Sequence, residues 1–226
     1  MTHEVLVGDW LDMLDSMDAD SVQTCITSPP YYNLRDYGVE GQVGLEGTPE
    51  EYIEALVEGF RKVKRVLRSD GTLWLNLGDG YATGIKGHPF FKSKDLLGIP
   101  HRVAFALQED GWYLRQEIIW EKPNPMPESC KDRPSRNHEL IFLLTQSPTY
   151  YYDVDAVRKP MKADTPENRR DIARMKRGRQ VFEEGKRAQA GEGSGQKGFI
   201  AGDVSKGRNL RTVWRITTKP FRGAHF

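Results

Sequence analysis

A chain of 226 residues is long enough for one domain with its own core plus an insertion, and 38% hydrophobic with 29% charged residues is an ordinary globular balance. Two cysteines, Cys25 and Cys130, exclude a disulfide framework and a cysteine metal site; no apolar run approaches the ~18 to 20 residues of a membrane span, and the acidic N-terminus lacks a signal-peptide pattern, so a cytoplasmic chain is expected. The net charge of +1 conceals an asymmetry, because residues 156–211 hold 15 Lys and Arg against 7 Asp and Glu while the rest hold 18 against 25, which points to a polyanion docking on one region.

In chain order, MTHEVLVGDWLDMLDSMDAD places Asp9 ahead of a helical run, where an aspartate commonly caps a helix. A β-prone run, Val22 to Thr27, then stops at Ser28-Pro29-Pro30 and is followed at once by Tyr31 and Tyr32. The next segment is the clearest helix. Thr48 with Glu51 makes a capping box, Pro49 suits the first turn, and Ile53, Leu56, Val57, Phe60, Val63 and Leu67 recur at helical spacing until Asp70-Gly71. TLWLNLGDG follows as a buried-type strand, a helix is expected over Pro100 to Asp110, and YLRQEIIWEK and HELIFLLT read as strands. From about residue 156 the chain turns polar, glycine-rich and basic, and hydrophobic pattern returns only at TVWRITTKPF. The run GEGSGQKG, 191–198, imitates a phosphate-cradling loop but has no strand before it, no apolar helix after it, and no Ser or Thr after Lys197.

Strands alternating with helices predict an α/β fold with a largely parallel sheet. Ligands of such sheets bind at the carboxyl ends of strands, where Ser28-Pro29-Pro30 and Asn76-Leu77-Gly78-Asp79 both fall. Two prolines remove backbone donors and fix direction, so the Ser28 hydroxyl and the neighbouring carbonyls become aimed acceptors beside the Tyr31 ring. Acceptors next to a stacking face suit a planar group bearing an amino substituent, as an extruded nucleobase does. A proline-ended strand whose tyrosines pack on a neighbour would carry the same residues.

TSPPYYNLRDYG, followed by GQVGLEGTPEEYIEALVEGFRKVKRVLRSDGTLWLNLGD, IIWEKPNPMPES, NHELIFLLT and KPFRGAHF, resembles the amino-directed DNA methyltransferases, the N4-cytosine and N6-adenine group, over nearly the whole chain apart from the basic insert. The resemblance implies a Rossmann-like S-adenosylmethionine-dependent methyltransferase sheet in which Ser28, Pro29, Pro30 and Tyr31 are the catalytic motif. Ser28 Oγ and the Pro29 carbonyl would accept from the amino group of a flipped base, and Tyr31 would stack on that base. It also gives Asp9, His225 and Phe226 to the side that binds S-adenosylmethionine, although Asp9 reads equally as a helix cap. Asp79, His138 and Glu139 would line the same cleft. Residues 156–211 fall where the family carries its target-recognition region, between a catalytic core of 1–155 and a return segment of 212–226. Arg169, Arg170, Arg174, Lys176, Arg177 and Arg179 would there neutralise phosphates of double-stranded DNA.

The family's cofactor glycine loop, Phe-x-Gly-x-Gly, normally follows a KPF…HF segment, and this chain ends at His225-Phe226. The sheet is therefore expected to be incomplete at the C-terminus, with a second chain or a second copy completing it. Serine at the head of the motif favours cytosine N4 as the methylated atom, with adenine N6 as the alternative; an inactive DNA-binding fragment or half of a split enzyme is the rival reading. No metal is implied.

Overall fold

The computed structural model describes residues 3–83, 88–160 and 207–218. The chain divides into two compact units, Met1–Tyr151 with Thr212–Phe226, and Tyr152–Arg211. The first carries α1 (Trp10–Ser16), β1 (Val22–Thr27), α2 (Pro49–Val66), β2 (Leu67–Leu77), α3 (Ile99–Glu109), β3 (Tyr113–Glu121), β4 (His138–Thr145) and β5 (Val213–Arg215).

The helix α2 starts where its capping box says it should. Glu51 N–H donates to Thr48 Oγ1 at 3.2 Å, Thr48 N–H donates to Glu51 Oε2 at 3.1 Å, and Pro49 occupies the first turn. Its buried stripe, Tyr52, Leu56, Phe60 and Val63, packs into one core with Val103 and Leu107 of α3 and with Leu73, Leu75 and Leu77 of β2. The helix ends four residues before the Asp70-Gly71 signal, and β2 begins directly at Leu67. The turn residues are absorbed inside the strand: Val22 pairs with Leu67 and Thr24 with Thr72, so Arg68 to Gly71 bulge out of the ladder. A Cβ on Gly71 would sit 2.9 Å from the Arg68 carbonyl oxygen and 3.1 Å from that of Gln23, which is why a glycine closes the excursion.

The sheet order is β1-β2-β4-β3-β5. The largely parallel sheet expected from the sequence needs correction. The β1–β2 and β3–β5 pairs are parallel, but β4 runs antiparallel to both of its neighbours. The four other strands still share one direction. The reversal follows from the connection: residues 122–137 join β3 to β4 without a crossover helix, so the chain returns beside the strand it has just left.

In the second unit, Lys159 and Arg208 exchange backbone hydrogen bonds of 2.9 Å. Among the described residues no helix is long and apolar enough to cross a membrane.

Candidate active site

Alternation along the strands gathers the polar residues. Leu73, Leu75 and Leu77 of β2 face the helices, so Trp74 and Asn76 face away. Register places Ile26 opposite Trp74, Asn76 opposite Ile141, and Trp120 opposite Glu139. Continuing by twos, Ser28 just past β1, Asn76 of β2, Glu139 of β4 and Lys122 just past β3 lie on one face at one end of the sheet. Four neighbouring strands each supply one group.

The proline pair turns the chain so that Tyr31 folds back over this end. Its hydroxyl lies 3.2 Å from Ser28 Oγ, 2.7 Å from Asn76 Nδ2 and 2.9 Å from Glu139 Oε2. Asn76 Nδ2 also donates to Glu139 Oε2 at 2.9 Å and reaches Ser28 Oγ at 3.5 Å. Lys122 Nζ is hydrogen-bonded and ion-paired to Glu139 Oε1. The turn is held from below by Tyr52, whose hydroxyl donates to the Pro30 carbonyl at 2.9 Å. Gly44, at φ 100°, lets a loop lie against it and gives its carbonyl to Asn33 N–H at 2.7 Å.

Electrostatics follow from this packing. Burial first, and the Glu139 carboxylate second, hold the Tyr31 phenol above the usual tyrosine range. Burial works against the Glu139 charge, but hydrogen bonds from Lys122 and Asn76 outweigh it and keep the carboxyl below the usual carboxylate range. Tyr31 is therefore a neutral phenol beside an ionised carboxylate at neutral pH. Ser28 remains exposed at the mouth.

Of the residues singled out from sequence, Ser28, Pro29, Pro30, Tyr31 and Glu139 come together here. Tyr31 is not a free ring: its hydroxyl is tied down, and its Cδ2–Cε2 edge lies against Gly78. Asp9 caps α1, with Oδ1 accepting from Leu11 N–H at 2.8 Å and Asp12 N–H at 3.4 Å. Asp79 faces the helix side, where Oδ1 accepts from Gly80 N–H at 2.9 Å and from Ile99 N–H at 3.0 Å, at the start of α3. A cleft of about 470 Å³ opens there, lined by Asp79, Tyr81, His101, Arg136, His138 and Glu139 among others. Cys25 is half-buried and its thiol is pushed up to about 11 by burial, so it offers no nucleophile. Arg169, Arg170, Arg174, Lys176, Arg177, Arg179, His225 and Phe226 lie outside the described residues, as does the glycine-rich run 191–198. Among the described residues no cluster of His, Cys, Asp or Glu could hold a metal ion. Sequence reasoning missed Lys122; the signal was its spacing of two from Trp120, which faces Glu139 across the ladder.

Residues 22–223 match a family model described as DNA methylase, of the N6/N4 methyltransferases. The chain is 43% identical over 238 residues to the Type II methyltransferase M.Cfr9I of Citrobacter freundii, covering 97% of this chain and 66% of that protein. It is 40% identical over 242 residues to the Type II methyltransferase M.SmaI of Serratia marcescens, covering 99% of this chain and 70% of that one. The chain thus spans about two thirds of these relatives' length. Among solved structures, the PvuII DNA methyltransferase (cytosine-N4-specific) shares the fold, with a TM-score of 0.51 at 17% identity over 71% of this chain and 58% of that one.

Proposed function

The chain belongs to the N6/N4 DNA methylase family, and from that premise we propose that it moves a methyl group from S-adenosylmethionine to the exocyclic amino group of a base in double-stranded DNA, cytosine N4 in the first instance. The observation that carries this reading is the position of Ser28. It stands exposed at the carboxyl end of β1, with two prolines fixing its direction and a neutral phenol behind it.

An exocyclic amino nitrogen is a poor nucleophile because its lone pair is delocalised into the ring. Acceptors at Ser28 Oγ and the Pro29 carbonyl would grip its N–H groups, favour a pyramidal nitrogen and turn its lone pair outward. Catalysis is then positioning and electrostatics. No described residue donates to the Pro29 carbonyl, whereas the Pro30 carbonyl is already taken by Tyr52. That division fits Pro29 as the second acceptor. S-adenosylmethionine supplies a methyl group on a sulfonium. Asp9 can meet its adenosyl part only through Oδ2, since Oδ1 is committed to the helix cap; His225 and Phe226 complete the proposed cofactor side.

The basic segment with Arg169, Arg170, Arg174, Lys176, Arg177 and Arg179 is the proposed DNA-recognition region, and the names of the relatives support a Type II restriction-modification setting. Strands β1 and β5 are the two edges of the described sheet, and β1 pairs only with β2. The open edge of β1 supports completion of the sheet by a second chain or a second copy.

The test is incubation of the chain with duplex DNA and S-adenosylmethionine, then digestion to nucleosides and mass spectrometry. N4-methylcytosine is expected. Ser28→Ala should lower transfer by about 2 to 4 kcal/mol of transition-state stabilisation while DNA affinity stays unchanged. N6-methyladenine alone would reverse the base assignment, and unchanged turnover in Ser28→Ala would remove the serine from the chemistry.

A further inference from the structure

The hydrogen-bond pattern around Tyr31 fixes where each proton must sit. A phenol has one proton to give. Asn76 Nδ2 can only donate, and Glu139 Oε2 belongs to a carboxylate that can only accept. Turning the Asn76 amide over would set its oxygen against Glu139 Oε2, so the nitrogen faces the carboxylate even though Oδ1 is then buried without a hydrogen-bond partner among the described residues. Tyr31 therefore donates to Glu139, and its oxygen accepts from Asn76 and from Ser28. The Ser28 proton is directed inward, which leaves the serine lone pairs facing the open end of the strand.

This is a continuous wire: Ser28 O–H to Tyr31 Oη at 3.2 Å, then Tyr31 O–H to Glu139 Oε2 at 2.9 Å. Its far terminus is a carboxylate only 18% exposed and paired with Lys122. A carboxylate there both anchors Tyr31 and offers a place for a proton. The reaction does have a proton to dispose of.

We propose that Glu139 is the proton sink of the methyl transfer, reached from the substrate nitrogen through Ser28 Oγ and Tyr31 Oη, and that Lys122 keeps this sink in its ionised form. The inference rests on the amino-transfer reading above. As the nitrogen bonds the methyl carbon, the carbon–sulfur bond breaks and its electron pair stays on sulfur. The nitrogen is left cationic with one hydrogen in excess. That proton passes to Ser28, the serine proton passes to Tyr31, and the tyrosine proton passes to Glu139. Sulfonium and carboxylate charges both vanish, so the products are neutral. Glu139 returns its proton to water through the cleft that it lines. The phenol, held neutral well above the usual tyrosine range, suits a relay that accepts and donates in one motion. It does not suit a base that stores the proton.

The test compares the wild-type chain with Glu139→Gln and Tyr31→Phe in single-turnover transfer to duplex DNA between about pH 6 and about pH 9. The wild-type rate should be flat, because a carboxyl held below its usual range is ionised throughout. In both variants transfer should fall about 100-fold at the acid end and climb with pH as solvent takes over the proton, while the KM values for DNA and S-adenosylmethionine stay put. A variant with full rate, or a slow variant with the flat wild-type profile, would overturn the relay. Ultraviolet titration of tyrosine in the ligand-free proteins supplies a readout independent of turnover. Glu139→Gln should ionise one phenol at lower pH than wild type, and that phenol should be missing in Tyr31→Phe; superimposable curves would overturn the contact. No methylated base from the wild-type chain, with the titration shift present, would sink the amino-transfer reading and with it the relay's purpose. Transfer by the wild type with neither variant altered would sink the relay alone.

Discussion

Gly78 shows how little room the Tyr31 ring has. A Cβ at that position would stand 2.5 Å from Cε2 and 2.6 Å from Cδ2 of the ring, and the ring cannot yield without breaking the hydrogen bonds of its hydroxyl to Ser28, Asn76 and Glu139. Gly78→Ala should therefore cost about 100-fold in methyl transfer, the scale of a misplacement of ~1 Å at a reacting group. Its effect on stability should be modest, because the methyl lands at the sheet end and not in the central core. Kinetics alongside thermal melting would check this, and a variant with full activity would mean that the ring stands elsewhere in the working enzyme. The same residues explain what was legible beforehand. Ser28, Pro29, Pro30 and Tyr31 are contiguous, so their nearness to one another could be read from four letters, while the role proposed for them rests on the resemblance of the longer stretch around them. Lys122 and Asn76 join them only through the register of four strands, which no local window contains.

At the scale of elements, α2 and α1 meet at a glycine. Gly59 sits in the middle of α2, where a glycine usually weakens a helix by roughly 0.5 to 1 kcal/mol relative to alanine. Here the Trp10 indole lies across it, with the ring centroid 5.9 Å from that of Phe60. Gly59→Ala would drive a methyl into the indole, so the variant should be destabilised by about 1 to 3 kcal/mol from overpacking, against the sign of helix propensity. Urea unfolding decides it, and a stabilised variant would mean that Trp10 is not docked on α2. The helix itself was plain in the sequence because cap, periodicity and proline all lie within a few turns. Where β2 begins was not, since Asp70-Gly71 is a bulge whose existence depends on pairing with Val22 and Thr24. The reversal of β4 was hidden for a related reason: strand direction is set by the connection and the partner, not by the composition of the strand.

At the scale of the molecule, the division of charge is the feature that composition exposes and averages conceal. The first 155 residues are acidic in balance, while 156–211 carry an excess of base. On the proposed reading, such a division of charge along the chain would favour a polyanion docking on the arginine-dense segment rather than on the acidic remainder. Arg169, Arg170, Arg174, Lys176, Arg177 and Arg179 are the proposed contacts. Charge neutralisation on DNA releases counterions, so the logarithm of affinity falls with the logarithm of salt by about 0.9 for each phosphate contact. Replacing these six by serine should therefore weaken binding at low salt and make that dependence shallower by about 0.9 for every contact that was real. Base-reading members of the set would also relax sequence preference, whereas phosphate-binding members would weaken all sequences alike. Fluorescence anisotropy across a salt series on specific and unrelated duplexes measures both effects together. An unchanged slope would mean that the cluster is solvated charge and that DNA is held by another surface of the chain.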